Sequence, residues 1–105
     1  MSNEKRYKVV VDIVSVKGKC RFGYKVGDKI VVEQNPEGYS YVPKMKGEIC
    51  PEAFANVYRN AFCMLYGGKI PWALNKERTL ARTICSDPVN IVTFELRQIE
   101  ITDKK

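Results

Sequence analysis

Cys50 is the residue of this sequence best placed to do chemistry, because it stands where a helix should begin. Pro51 follows it, and proline suits the first helical position, where its missing N–H has no partner to lose. Cys50 is therefore the predicted N-cap, beside free backbone N–H groups and the positive end of the helix dipole. A thiol in that position loses its proton more easily than a free thiol, so the sequence predicts one activated thiol.

Two further cysteines share this kind of position, and one does not. Cys20 lies in a glycine-containing loop after a predicted strand, and Cys85 ends another strand, so both stand at element boundaries, where binding residues concentrate. Cys63 lies on the same predicted helix as Cys50, roughly 20 Å further along at 1.5 Å per residue, and projects from its polar side. We therefore expect Cys20, Cys50 and Cys85 to meet in one site and Cys63 to be dispensable.

Three interpretations of this trio stay open at the level of sequence. No Cys-x-x-Cys pair is present, so three thiols without a fourth protein ligand would form an open site for a soft metal, zinc or iron. Alternatively, Cys50 acts as a nucleophile, with Cys20 and Cys85 as resolving thiols. In the third interpretation all three are small, buried packing residues. The chain has no histidine, which excludes Cys–His and Ser–His catalysis.

Other candidates for the site are weaker. Asp87 stands next to the trio in Ser-Asp-Pro and could hold a proton or a metal-bound water, although that position is typical of a turn residue. Asp28 is more typical of a turn former than of an acid or base. Trp72 is expected in the core, the alternative being a lid over the Cys50 site.

The elements that must position these residues follow from hydrophobic alternation and turn residues. Strands are predicted over 6–17, 29–33, 80–85 and 90–102, with a short strand around Tyr39, Tyr41 and Val42. A helix is predicted from Pro51 to Tyr66, where two glycines end it. This is an α+β pattern, in which four or five mostly antiparallel strands pack against one main helix.

The same patterns predict which faces are buried. One face of the first strand should carry Tyr7, Val9, Val11 and Ile13. In the last strand the alternation switches near Arg97, which predicts a bulge or an edge there. The apolar stripe of the helix is predicted to comprise Phe54, Val57, Tyr58, Ala61, Phe62 and Leu65.

Length and composition indicate a single domain over 1–105, with 1–5 and 103–105 frayed. The sequence shows neither a membrane-spanning run nor a secretory signal, so a cytoplasmic location is expected. The chain carries a net charge of +6, and several of its basic residues cluster early, at Lys17, Lys19, Arg21, Lys25 and Lys29.

The favoured interpretation of this basic cluster is a solvated face. No base-reading motif accompanies it, so the sequence does not favour nucleic acid as a partner beyond weak, salt-sensitive binding. The expected partner is a small molecule or a protein thiol, and homo-oligomerisation stays open. The alternative function is that of a non-catalytic binding or accessory subunit, which uses the basic face and a sheet edge and has its cysteines as packing residues.

Four motifs together resemble a family of small bacterial and archaeal proteins of about this length that has no established activity. They cover about residues 7–100 and are Cys20-x-x-Gly23-x-x-x-Gly27-Asp28, Gly47-x-x-Cys50-Pro51-x-Ala53-Phe54, Gly67-Gly68-x-x-Pro71-Trp72 and Cys85-x-Asp87. The resemblance implies a three-cysteine pattern at Cys20, Cys50 and Cys85. This chain departs from the family at Cys-Ser-Asp-Pro, where Cys-Pro-Asp-Gly is more usual, so the resemblance does not extend to the geometry of that turn.

Overall fold

The computed structural model describes residues 6–34, 44–85 and 87–101. The predicted strand around Tyr39, the predicted frayed ends and Ser86 lie outside these ranges. The described elements are β1 (Arg6–Val16), β2 (Lys29–Glu33), β3 (Lys44–Lys46), α1 (Pro51–Leu65), β4 (Leu80–Ile84) and β5 (Val92–Ile101). None of the helical segments within the described ranges is both long and apolar enough to cross a membrane.

The five strands form one antiparallel sheet in the order β3-β2-β1-β5-β4, and α1 packs on one of its faces. The central strand β1 places Val10 opposite Val31 of β2 and opposite Arg97 of β5. The predicted α+β class, with a mostly antiparallel sheet against one helix, is therefore confirmed. The order also brings the end of β1, the start of β5 and the end of β4 to the same end of the sheet.

The core lies between the sheet and α1. Val9, Val11 and Ile13 point toward the helix and are at most 1% exposed, as their alternation predicts. On the opposite side, α1 buries Ala53, Val57, Asn60, Ala61, Met64 and Leu65. The small alanines in this set let the helix approach the sheet closely, as a larger residue at the same positions would not.

The predicted helix stripe is correct for Val57, Ala61 and Leu65, which are buried, and wrong for its aromatic members, which do not form the buried face. Phe54 and Phe62 are 40% and 41% exposed, whereas Ala53 and Met64 are fully buried. Phe54, Tyr58, Phe62 and Tyr66 instead form a row along the flank of the helix, with ring centroids 5.1, 5.5 and 5.1 Å apart. Residues four apart on a helix contact each other, so these rings pack against one another.

Of the bulge or edge predicted near Arg97, the bulge is wrong, because the register of β5 with β1 runs without a break past Arg97. β5 lies between β1 and β4, but its pairing with β4 ends where Leu80 lies opposite Arg97, so among the described strands β1 alone pairs with the rest of β5. The apparent switch arises because Gln98, a polar residue, occupies an inward position and is only 8% exposed. Its Nε2 donates to the carbonyl of Met64 at 2.7 Å, and its Oε1 accepts from Lys69 Nζ at 2.8 Å. The register shift of this strand pair lies in β1, between Ile13 and Ser15.

Trp72 belongs neither to the core nor to a lid. It is 61% exposed, in the connection between α1 and β4, and does not line the cavity next to Cys50. Ile70 provides the buried contact of this segment instead, at 2% exposure. The expectation that the largest apolar side chain would be buried therefore fails here.

Candidate functional site

A cavity of about 440 Å³ opens at the end of the sheet where β1 and β4 finish and α1 begins. Three cysteines from three separate segments line it: Cys20 from the loop after β1, Cys50 from the start of α1, and Cys85 from the end of β4. Cys63 does not line this cavity. The structure thus brings together the three cysteines that the sequence analysis selected and separates the fourth from them.

Cys50 is the N-cap of α1, as Pro51 predicts. Its backbone is extended, with φ −69° and ψ 129°, and its carbonyl accepts the first helical hydrogen bond, from the N–H of Ala53 at 3.0 Å. The Cys50 side chain makes no capping hydrogen bond. The structure therefore does not show the expected contact between the sulfur and the free N–H groups of the first turn. The half-buried side chain lines the cavity instead.

Tyr24 holds Cys50 in place, and the sequence analysis did not identify it. Its ring is buried, its hydroxyl accepts the N–H of Cys50 at 2.9 Å, and the same hydroxyl donates to the carbonyl of Glu48 at 2.8 Å. Burial raises the pKa of Tyr24, the hydrogen bond with Cys50 opposes that rise, and negative charge on Cys50, Cys20 or Asp28 would add to it. The hydroxyl thus lies next to the start of α1. The sequence signal that could have pointed to Tyr24 is an aromatic residue in a loop rich in charged residues.

Cys85 is the most enclosed of the three cavity cysteines. It is 8% exposed, and its sulfur accepts the N–H of Val92 at 3.3 Å and donates to the carbonyl of Asn90 at 3.5 Å. Its own N–H bonds the carbonyl of Val92 at 3.1 Å. Backbone groups thus occupy both hydrogen-bonding roles of this thiol. Of the trio, Cys20 and Cys50 are the half-buried pair that an entering molecule reaches more easily.

Asp87 lines the cavity but has the geometry of a turn residue. Its carboxylate accepts the N–H groups of Val89 at 2.8 Å and Asn90 at 3.1 Å. These bonds from Asn90 and Val89 lower the pKa of Asp87, and the nearby guanidinium of Arg21 lowers it further. A carboxylate stabilised in its charged form is a poor proton carrier near neutral pH, so this geometry does not support the predicted acid–base role.

The donor set does not fit a metal ion in the arrangement observed. Across residues 6–34, 44–85 and 87–101, no three cysteine, aspartate or glutamate side chains are grouped so that they could hold one. The Cys85 sulfur already has two backbone partners. A zinc or iron site would therefore require the three thiols to rearrange.

The basic cluster of the sequence is divided by the fold. Lys29 lies at the start of β2 and pairs with Asp12 at 2.9 Å, whereas the other four cations stay in the loop that carries Cys20. Four carboxylates lie around the same end of the sheet and offset the loop cations: Asp28, Glu48, Glu52 and Asp87. Asp28 accepts the N–H of Lys25 at 2.9 Å, as a turn former does. The mouth of the cavity is therefore not a basic patch.

Replacing Cys63 by serine should leave the protein unchanged. Cys63 is exposed on α1 and lies outside the cavity, and surface substitutions typically change the free energy of unfolding by no more than about 0.5 kcal/mol. Urea denaturation of Cys63→Ser next to the unaltered chain measures the difference. A larger loss would show that this helix face is covered in an assembly of the protein.

No protein-family model matches this chain, and comparison with curated proteins and with solved structures likewise finds no match. The resemblance drawn from the four motifs therefore stays a prediction, and the function has to be argued from the cavity.

Proposed function

We propose that this protein performs thiol chemistry on a small disulfide that enters the cavity, with Cys50 as nucleophile and Cys20 as resolving thiol. The observation that carries the proposal is that cysteines from three separate segments line one cavity, and that two of them are half-buried rather than enclosed. A volume of about 440 Å³ suits a small molecule, since such sites commonly measure about 300–1,000 Å³.

The reaction takes place in two exchange steps. The Cys50 thiolate attacks one sulfur of the entering disulfide, the S–S bond breaks, and the leaving thiolate takes up the proton that Cys50 released. The Cys20 thiolate then attacks the Cys50 sulfur of the mixed disulfide and releases the second thiol. The substrate is reduced to two thiols, and the protein is oxidised to a Cys20–Cys50 disulfide, which an external thiol reductant must reduce before the next cycle.

Tyr24 and Cys85 support this assignment of roles. The Tyr24 hydroxyl fixes the backbone of Cys50, and Tyr24, Cys50 and Cys20 line the same cavity. Cys85 is bonded to the backbone on both sides, which suits packing better than exchange. Among the described residues, no three side chains that could bind a metal are grouped together. The soft-metal alternative therefore has less support.

The test is the product formed with 2-hydroxyethyl disulfide, a small neutral substrate, in a Cys63→Ser background that removes the exposed thiol. We expect two equivalents of thiol to be released and the protein mass to fall by two hydrogen atoms, with peptide mapping locating the new bond between Cys20 and Cys50. A Cys20→Ser substitution in this background should stop the reaction at the mixed disulfide on Cys50, and Cys50→Ser should prevent both steps.

Cys85→Ser is the matched control, because it removes a cavity thiol that the proposal does not use, and circular dichroism establishes that this variant folds. If Cys50 reacts no faster in the folded chain than in urea, the proposal fails. Stoichiometric zinc binding that requires all three thiols would instead establish the metal site. If none of the cavity thiols reacts, the result favours the function of a non-catalytic accessory subunit.

A further inference from the structure

No described helix or strand packs on the face of the sheet opposite α1, and this face carries an excess of positive charge. Residues that alternate with the buried ones point to this face, as the strand register shows. Among the residues whose side chains are described, it carries five lysine and arginine residues beyond the strand start at Arg6: Lys8, Lys29, Lys46, Arg82 and Arg97. Against them stand three carboxylates, those of Asp12, Glu33 and Glu95.

These carboxylates are all engaged, and they lie beneath the cations. Asp12 bonds both Lys29 at 2.9 Å and Arg97 at 3.2 Å, while Glu33 pairs with Lys46 and Glu95 with Arg82. The paired cations keep 46–66% of their side-chain surface exposed, whereas the carboxylates keep 19–31%. Long basic side chains extend past the short acidic ones, so an approaching molecule meets positive charge first.

Lys8 lies directly opposite Glu33 of β2, whose carboxylate pairs with Lys46. Lys8 itself forms no ion pair with any described residue and lies on the central strand, two residues from Val10. Val10 points to this face yet is only 8% exposed, between its cross-strand neighbours Val31 and Arg97. The stems of neighbouring side chains therefore cover Val10. At the β4 edge, Ile84 points to the same face and is 47% exposed, so the face combines its charge with an apolar edge.

We infer that this face, the cationic sheet face, binds the phosphate backbone of single-stranded nucleic acid without reading its sequence. Cations on five neighbouring strands suit a polymer of phosphates, and binding would release the counterions condensed on it. Along the described strands this face carries no aromatic side chain, so bases have no ring to stack on. Adjacent strands of a sheet are twisted relative to one another, and a flexible single strand follows such a surface better than a stiff duplex does.

The test is fluorescence anisotropy of the full chain with a labelled oligothymidine. If about three phosphates are engaged, the logarithm of the binding constant should fall with the logarithm of salt concentration with a slope near −2, or about 20-fold between 50 and 200 mM. Replacing both Lys8 and Arg97 by glutamine should remove about two of these contacts, so the slope should shrink to roughly −0.7.

Two further variants make the result decisive. Glu33→Gln removes a carboxylate from the cationic sheet face and should tighten binding. Lys76→Gln removes a cation from the exposed turn before β4, outside the strand positions that form this face, and should leave binding unchanged. A loss in Lys76→Gln half as large as that in the double variant would overturn the inference, since binding would then follow net charge alone. Displacement of the oligothymidine by an equal charge of polyglutamate would also overturn it, in favour of an acidic protein partner.

Discussion

Replacing Gly47 by alanine should destabilise the protein strongly, because strain in the backbone and a close approach to β2 act together there. Gly47 has φ +110°, a conformation that glycine adopts freely and other residues do not, at a cost of about 1–3 kcal/mol for a strained residue. Its added Cβ would also lie 2.8 Å from the carbonyl oxygen of Lys29 and 3.3 Å from the Cα of Ile30. Both neighbours are backbone atoms of β2, which cannot move aside as a flexible side chain can.

Gly27→Ala provides the matched control for this prediction. Gly27 has almost the same φ, +103°, but nothing lies within 4 Å of the Cβ that would be added to it. The decrease in unfolding free energy in Gly27→Ala therefore measures backbone strain alone. Any additional decrease in Gly47→Ala measures the cost of the close approach to β2. Urea denaturation of both variants gives the comparison. An equal decrease in the free energy of unfolding in the two variants would mean that the segment before Cys50 is free to move away from β2.

The consequence for the cavity can be measured in the same proteins. Gly47 begins the short segment that leads to Cys50, and the contact with β2 fixes where that segment starts. In the Cys63→Ser background, we expect Gly47→Ala to change the rate at which iodoacetamide labels Cys50, while Gly27→Ala does not. The background substitution is needed because Cys63 is the exposed thiol and would be labelled regardless of the site.

Local sequence signals were sufficient wherever a single residue type determines the backbone. Pro51 set the start of the helix, β2 was predicted with the observed bounds, and alternation in β1 gave the buried set from Val9 to Ile13. Each of these rests on covalent geometry or on the twofold period of a strand, which need no knowledge of the rest of the fold. The three cysteines could be selected at element boundaries by the same means.

Tertiary contacts decided what the sequence analysis missed. The aromatic residues of α1 formed its most hydrophobic stripe. The sheet instead packs against the small residues Ala53 and Ala61, so the buried face is rotated away from Phe54 and Phe62. Gln98 is buried because a helix end and Lys69 supply its hydrogen bonds, and those partners are about thirty residues away in the chain. No periodicity in a single strand could have revealed these contacts.

The role of Tyr24 was hidden for the same reason, since its partners Glu48 and Cys50 lie more than twenty residues further along the chain. Removing its hydroxyl should therefore have the second large effect. Tyr24→Phe keeps the ring against Phe94 but leaves the N–H of Cys50 and the carbonyl of Glu48 without this partner. These groups are only part-buried, so the expected loss is the net contribution of ordinary hydrogen bonds, and the free energy of unfolding should fall by about 0.5–1.5 kcal/mol.

The same substitution tests whether Tyr24 positions Cys50 for exchange. With its backbone released, Cys50 should still attack the disulfide, but closure of the Cys20–Cys50 bond should slow, because the two sulfurs are no longer held in one arrangement. Stopped-flow release of the second thiol, in the Cys63→Ser background, measures that step. Tyr58→Phe is the control, since the Tyr58 hydroxyl lies in the aromatic row and has no hydrogen bond to the described residues.

A pH series separates the hydroxyl from a general effect on packing. The pKa of Tyr24 is raised above its ordinary value of 10.0 in the folded protein, chiefly by burial. The unfolded chain therefore loses this proton first as pH rises, so the stabilisation from Tyr24 is complete below about pH 10 and declines above it. The stability difference between the parent and Tyr24→Phe should accordingly be constant from pH 7 to 9 and shrink in more alkaline solution. A difference that stays constant throughout, or a Tyr58→Phe variant that behaves in the same way, would show that the change in stability does not follow the titration of the Tyr24 hydroxyl.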